Sequence, residues 1–272
     1  MQIQKQLKIK PETAIEQSRC YQQCFCSDNL ELMKTIESNT IDLIYCDILY
    51  GTGRKFKDYQ DLKPNRVEIE NHYIPRLKEM HRILKPTGSI YLQMDTRINH
   101  WLRCIMDDIF GYDKFLNEII WCYTGASNNK KTYPRKHDVI LFYGNKIINH
   151  QRIPYKSGIH NKGNYFKKDG NKNKYRLKEL ENIGKIVEDW WVDVYPINPA
   201  SKERNYATQK PKALIERIIK ASSNQGDLVA DFYAGSFTTA EVCKDLSRNF
   251  IGCDINPRAV EIGLKRLNGG VS

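Results

Sequence analysis

Apolar residues recur along this chain at two different spacings. In DNLELMKTIES, residues 28–38, Leu30, Met33 and Ile36 share one helical face behind Asp28, a suitable N-cap. TIDLIYCD follows and reads as a buried strand ending at Asp47. Helical spacing resumes from Val67 to Leu84 and is stopped by Lys85-Pro86-Thr87-Gly88; SIYLQMD, Ser89 to Asp95, is the next strand, and a helix runs from about Asn99 to Phe110. Two further strand-like runs, FLNEIIWCY from Phe115 and DVILFY from Asp138, are joined by a basic loop and predict an antiparallel pair. Periodicity weakens between about Gly144 and Asn205. It returns in KALIERIIKAS, where Leu214, Ile215, Ile218 and Ile219 form a core stripe. Then come a strand over Asp227–Phe232, a helix over Ser236–Leu246, the strand NFIGCD ending at Asp254, and a last helix opened by Pro257 and reaching Leu267. Strands alternating with helices of this length predict an α/β fold, one sheet with helices on both faces.

At 272 residues, 40% of them hydrophobic, the chain is long enough for one large core or one core with an insertion. No run of about 18 uncharged apolar residues is present, and the polar N-terminal stretch lacks the apolar core of a secretory signal; a cytoplasmic location without membrane contact is expected. The eight cysteines do not change this picture. Cys46, Cys104, Cys122, Cys243 and Cys253 sit in apolar runs as small hydrophobes; Cys20, Cys24 and Cys26 form no CxxC pair and have no histidine at finger spacing, so free thiols and no metal site are expected.

Charge does change it. The formal net charge is +11, and residues 126–176 contain 13 Lys and Arg against 2 acidic residues, a surplus equal to that of the whole chain. Aromatics such as Tyr133, Tyr155, Tyr165 and Phe166 are interleaved with these cations. A one-sided basic segment with aromatics favours a nucleic-acid surface over an ordinary solvated face. Its candidate contacts are Lys130, Lys131, Arg135, Lys136, Arg152, Lys156, Lys162, Lys167 and Lys168.

Two strand ends carry candidate chemistry. In DFYAGSFTT, residues 231–239, Gly235 permits close backbone approach, while Ser236, Thr238 and the free amides of the following helix suit an anionic group. Asp254 ends the next strand about 19 residues later, a spacing that suits a carboxylate on ribose hydroxyls. Together they point to a nucleoside-containing cofactor; the full glycine fingerprint of a dinucleotide oxidoreductase is missing. The other strand end is DILYGTG, residues 47–53, followed by a polar loop to Asn65 that is too long for a simple turn. Asp95, which ends a strand too, either caps the next helix or lines the site; Trp190-Trp191 suits packing and DNA contact equally.

In this order the motifs resemble those of the β group of DNA amino-methyltransferases, in which the catalytic motif precedes the cofactor motif. Asp47-Ile48-Leu49-Tyr50 stands where that family has Asp-Pro-Pro-Tyr, Thr208-Gln209-Lys210-Pro211 is similar to its Thr-x-Lys-Pro, and DFYAGSFTT is similar to its Asp-x-Phe-x-Gly-Ser-Gly-Thr-Thr. Asp28 stands at the position of an adenine-contacting aspartate before the first helix, and Trp121 and His137–Leu141 resemble the later strands. The resemblance covers roughly residues 28–143 and 206–267. It implies a Rossmann-like methyltransferase fold with residues 20–125 and 206–268 as the catalytic domain and residues 126–205 as an inserted target-recognition region. It also implies S-adenosylmethionine as cofactor, held by Asp28, Asp231, Tyr233, Ala234, Gly235, Ser236, Thr238, Asp254, Lys210 and Pro211. The implied reaction is methyl transfer to the exocyclic amine of a flipped-out base, most readily adenine N6, with Asp47 and the Ile48 carbonyl accepting the amine hydrogens and Tyr50 stacking on the base. Double-stranded DNA is the implied partner; a homodimer and a cognate restriction endonuclease are candidates beside it.

Two departures bear on activity. Ile48 and Leu49 remove the prolines that would fix the backbone angles of the acceptors. Phe237 replaces a glycine, and its ring is expected where the cofactor passes close to the main chain. They leave open a catalytically weakened DNA-binding or regulatory subunit, while the basic segment also admits a cytosine-N4 or an RNA methyltransferase.

Overall fold

The computed structural model describes residues 21–55, 60–125, 127–145, 147–153, 182, 184–198, 206 and 208–268. Eight strands form one sheet in the order β1-β10-β9-β2-β3-β5-β4-β8. These are β1 Gln22–Cys26, β2 Ile41–Asp47, β3 Leu84–Met94, β4 Phe115–Cys122, β5 His137–Tyr143, β8 Trp190–Trp191, β9 Leu228–Asp231 and β10 Asn249–Asp254. From β1 through β3 neighbours run parallel; β5 is antiparallel to both β3 and β4, as the sequence predicts for the pair, and β8 lies parallel to β4. Short β6 (Arg152–Ile153) and β7 (Lys185–Ile186) pair separately.

Helices cover both faces. One carries α1 (Asn29–Lys34), α2 (Arg66–Ile83) and α3 (Asn99–Phe110); the other carries α4 (Lys212–Ser222), α5 (Thr238–Asp245) and α6 (Pro257–Leu267). Central β2 explains why its sequence reads as a continuous apolar run. Ile44 and Cys46 face the α1–α3 layer, Leu43 and Tyr45 face the α4–α6 layer, and all four are buried. The α4 stripe of Leu214, Ile215, Ile218 and Ile219 is wholly buried, each side chain contributing roughly 1.5–3 kcal/mol by leaving water.

Several boundaries differ from expectation for identifiable reasons. β3 begins at Leu84 instead of Ser89, running through Pro86 where the β2 register shifts between Ile41 and Leu43. Lys85 Nζ donates to Asp42 Oδ1 at 2.6 Å and holds that irregular end. Strand β1, whose cysteines read only as thiols, pairs along its whole length with β10. Cys24 and Cys26 are free, and Cys20 lies outside the described residues. Helix α5 starts at Thr238, two residues late, because Phe237 adopts φ 56°, ψ 35° in the left-handed region. Among the described residues no helix is long and apolar enough to cross a membrane.

Candidate active site

Because β1, β10, β9 and β2 are parallel, their carboxyl ends share one sheet edge. That edge gathers Asp254, Asp231 and Asp47 as strand-terminal residues and Asp28 just beyond β1. Strand order reverses between β9 and β2, the place where open α/β sheets form a ligand crevice. A cavity of about 460 Å³ occupies it, a size that suits a nucleoside-sized ligand. Asp47, Ile48 and Tyr50 line this cavity together with Asp28, Lys210, Gly235 and Asp254. Two motifs separated by about two thirds of the chain therefore share one space.

The cofactor-type side is built by short-range hydrogen bonds. Asp254 accepts from Gly235 N–H at 2.9 Å through Oδ2 and from Asn256 N–H at 2.8 Å through Oδ1. Burial raises its pKa, and those two N–H groups oppose the rise. Gly235 sits at φ 50°, where a Cβ would be strained, and so lets the chain turn sharply into α5. Asp231 is buried and accepts from Tyr233 N–H at 3.0 Å and Thr239 Oγ1 at 2.6 Å. Desolvation pushes it up to about 7 against those bonds. Tyr233, Ala234, Ser236 and Thr238 line the cavity as well, with Ser236 and Thr238 hydroxyls 3.2 Å apart. Asp28 caps α1 by accepting from Leu30 and Glu31 N–H, and its second oxygen takes Arg76 Nη2 at 2.9 Å. Pro211 does not line the cavity; it is the N-cap position of α4.

Sequence reasoning missed several lining residues. His72 donates to or accepts from Tyr233 Oη at 3.1 Å, and burial followed by the Arg76 charge lowers its pKa to about 4, so it is neutral at pH 7. Exposed Ile255 follows Asp254 at the rim, and Tyr206 closes one side together with Thr208 and Gln209, which the sequence already places in the Thr-x-Lys-Pro-like motif. Asp61 accepts from the amides of Gly51 at 3.1 Å and Thr52 at 2.7 Å, fixing the start of the polar loop. None of these carries a local periodicity that would distinguish it.

Phe237 does not obstruct this space, which corrects the expectation drawn from the missing glycine. Its side chain is 0% exposed, packs in the α4–α6 layer and is absent from the cavity wall. The ring meets Phe250 edge-on at 6.3 Å between centroids and lies over Gly263 of α6, where an added Cβ would come within 2.6 Å of Phe237 Cδ2. A left-handed backbone at Phe237 turns the ring away from the sheet edge, and Gly263 supplies the room that the ring fills.

On the other side, Asp47 Oδ2 accepts from Lys210 Nζ at 2.6 Å and Asp47 Oδ1 from Tyr50 Oη at 2.9 Å. Lys210 thus reaches the β2 carboxylate, with its ammonium 5.0 Å from the Tyr50 ring centroid. Burial raises the Asp47 pKa, the Lys210 charge and hydrogen bond lower it, and the nearby Asp138 charge raises it again. Tyr50 Oη also lies 2.6 Å from Asp138 Oδ2, so its one proton is shared between the two carboxylates. Ile48 N–H is held by Gln93 O at 3.1 Å and the Leu49 carbonyl by Tyr73 Oη at 2.9 Å. These two bonds fix the backbone that lacks prolines. No donor among the described residues reaches the Ile48 carbonyl. A carboxylate and the carbonyl of the next residue, both belonging to residues that line one cavity, are the acceptor types that suit the two hydrogens of an amine.

Asp95 accepts from Arg97 N–H at 2.8 Å and pairs with its guanidinium, so it neither lines the cavity nor caps α3, whose N-cap position is Ile98 without a side-chain bond. Of the aromatic pair, Trp191 is 5% exposed and packs beside Trp121, while Trp190 is 40% exposed. Lys130, Lys131 and Arg135 are exposed on the β4–β5 loop, Lys136 is half-buried, and Arg152 is exposed on β6 with Nη1 donating to Gly184 O at 2.9 Å. Lys156, Lys162, Lys167 and Lys168 lie outside the described residues.

A family model described as DNA methylase, of the N6/N4 methyltransferases, matches residues 41–265. The type II methyltransferase M.HpaI of Haemophilus parainfluenzae is 32% identical over 256 residues, 91% of this chain and 74% of its own. The DNA adenine methyltransferase YhdJ of Escherichia coli (strain K12) is 29% identical over 259 residues, covering 89% and 81% respectively. Among solved structures, the complex of M1.HpyAVI with S-adenosylmethionine superposes with a TM-score of 0.59 at 18% identity, covering 90% of this chain and 98% of that one. The donor set fits that cofactor: backbone approach at Gly235, a carboxylate at Asp254 and an apolar wall lead directly to Asp47. On this match, and on the motif order that accompanies it, the chain belongs to the N6/N4 DNA methylase family, as a β-group amino-methyltransferase of DNA whose methyl donor is S-adenosylmethionine.

Proposed function

We propose that the protein methylates adenine N6 in double-stranded DNA, acting on a base rotated out of the helix. The observation that carries this reading is the shared cavity: Asp47 and Ile48 of the reaction motif and Gly235 and Asp254 of the cofactor motif line the same space. An exocyclic amine is a weak nucleophile because its lone pair is delocalised into the ring. S-adenosylmethionine, when bound, supplies an electrophilic methyl carbon on a sulfonium sulfur. Asp47 and the Ile48 carbonyl accept the two amine hydrogens, which localises the lone pair and aims it; most of the remaining acceleration is positioning. Tyr50 offers its ring face to the base, and its hydroxyl stays tied to Asp47 and Asp138. Such a pocket is out of reach of a stacked base, which is the reason for eversion.

Preference for adenine rests on the aspartate that opens the motif, a family tendency, and on likeness to an enzyme described as a DNA adenine methyltransferase. Residues 126–205 are assigned to target recognition, with Lys130, Lys131, Arg135 and Arg152 on phosphates. The burial of Phe237 removes the main reason for a subunit without turnover. The test is incubation of purified protein with tritium-labelled S-adenosylmethionine and unmethylated duplex DNA of mixed sequence, followed by nucleoside chromatography. N6-methyl-2′-deoxyadenosine that disappears with Asp47→Ala is the expected result. Label in N4-methylcytosine refutes the base assignment, transfer to competing RNA refutes the substrate, and no label refutes the reading. Sedimentation tests the proposed homodimer, and cleavage assays with candidate nucleases test the proposed endonuclease partner.

A further inference from the structure

Asp138 of β5 lies in the His137–Leu141 segment that resembles a later family strand but has no role assigned there, and it stands against the reaction centre. It is buried, and three side chains donate to it: Tyr50 Oη at 2.6 Å and Gln93 Nε2 at 2.8 Å on Oδ2, and Tyr123 Oη at 2.9 Å on Oδ1. The Gln93 amide is oriented by Tyr45, whose hydroxyl donates to Gln93 Oε1 at 2.8 Å. This arrangement presents donors to Asp138 and suits a carboxylate.

Three oxygens then lie in a row. Asp47 Oδ1 is 2.9 Å from Tyr50 Oη, and Tyr50 Oη is 2.6 Å from Asp138 Oδ2. Two hydrogen bonds in series need two protons, and the phenol supplies one. With both carboxylates ionised, the row is one proton short. Methylation of an amine releases one proton.

We propose that Asp47, Tyr50 and Asp138 form a relay that takes up the proton leaving the methylated amine, with Asp138 as its terminus. The amine nitrogen forms its bond to the methyl carbon with its own lone pair as the carbon–sulfur bond breaks with the pair retained by sulfur. The nitrogen gives one proton to Asp47 Oδ1; Asp47 passes a proton to Tyr50 as Tyr50 gives its own to Asp138 Oδ2. Asp47 and Tyr50 return to their starting states and Asp138 is left neutral. Half-buried Tyr123, on the other Asp138 oxygen, lies on the way to solvent. A carboxylate offers about four lone-pair sites, so Asp47 can receive the amine while keeping Tyr50 and Lys210. The charged and titratable groups facing the relay are Lys210 on Asp47, Asp231 of β9, whose charge couples to Asp47, Tyr45 behind Gln93, Tyr123, and Asp95, which acts on Tyr123. Asp138 touches neither base nor cofactor and is a positioning residue in this scheme, which rests on the methyltransferase reading.

The test is the pH profile of single-turnover methylation on unmethylated mixed-sequence duplex DNA, with S-adenosylhomocysteine affinity measured alongside. Asp138→Asn keeps the volume but cannot take a proton. It is expected to slow methyl transfer at least about tenfold, to leave S-adenosylhomocysteine affinity within about twofold, and to move the acid limb to lower pH, because the Asp138 charge that raises Asp47 is gone. Tyr50→Phe keeps the ring, breaks the row, and is expected to slow transfer as much while moving the acid limb upward, since Asp47 loses a donor. An Asp138→Asn enzyme with wild-type rate, or one slowed with an unmoved acid limb, overturns the relay. If Asp138→Asn fails to bind S-adenosylhomocysteine, Tyr50→Phe decides: an undiminished rate overturns the proposal and a loss of tenfold or more supports it. A wild-type chain that transfers no methyl overturns the methyltransferase reading and the relay with it, whereas failure of the variants alone leaves that reading standing.

Discussion

Phe237 and Gly263 should behave as one exchanged pair, with glycine on α6 answering the ring where the family motif has glycine. Replacing Phe237 by Gly removes a fully buried ring, which costs roughly 3–5 kcal/mol. It also relieves a left-handed backbone at a residue with a side chain, worth about 1–2 kcal/mol. The single change is therefore expected to destabilise the fold by roughly 1–4 kcal/mol in urea melts. Gly263→Ala puts a methyl 2.6–2.7 Å from Phe237 carbons. Overpacking of that kind costs roughly 1–3 kcal/mol, offset by about 1 kcal/mol from better helix propensity. In the Phe237→Gly background the crowding vanishes, and Gly263→Ala becomes stabilising by about 1 kcal/mol. The double-mutant cycle should thus show a coupling of roughly 1–3 kcal/mol. Titration calorimetry should find S-adenosylhomocysteine affinity changed by less than about threefold in Phe237→Gly, because the ring does not line the cavity. Equal stabilisation by Gly263→Ala in both backgrounds, or a tenfold change in cofactor affinity in a folded Phe237→Gly protein, would refute the placement of the ring.

Asp231, raised from 3.8 to about 7 by burial, binds its proton more tightly folded than unfolded. Its contribution to stability is therefore complete below about pH 4 and is lost as pH rises to about 7, by at most roughly 4 kcal/mol; Asp231→Asn should flatten that part of the curve in chemical denaturation across pH. Lys210→Met removes the charge that opposes the upward shift of Asp47, so the acid limb of methyl transfer should move to higher pH, with a rate loss of roughly tenfold or more on the acid side and less at alkaline pH. An unmoved limb would contradict the ion pair. Replacing exposed Lys130, Lys131 and Arg135 by Ala should lower the log–log salt slope of DNA binding by up to about 0.9 for each phosphate that is no longer neutralised, uniformly across sequences; fluorescence anisotropy at several salt concentrations checks it.

The alternating pattern exposes the α/β layering, and the two motifs expose both ends of the cavity, because each depends on residues close in sequence. Strand β1 is hard to see in the sequence because an edge strand with half-buried residues and mixed polarity has no clean period. The orientation of Phe237 depends on Gly263, one helix away, and on a backbone angle that residue type disfavours. Lys210 reads as part of the cofactor motif, yet its charge ends on Asp47, 163 residues distant. Asp138 looks like an ordinary strand residue; its meaning comes from β5 running antiparallel beside β3, which brings it against Tyr50 and Gln93. Such pairings are properties of the closed sheet and leave little local trace.

The Lys210–Asp47 contact has a bearing on what the pocket will tolerate. With its side chain only 13% exposed, the ammonium stands directly against the Asp47 carboxylate, and it belongs to the segment that follows residues 126–205. A visitor without hydrogens to offer the carboxylate leaves the cation in command of it, so water and small anions meet a self-neutralised surface.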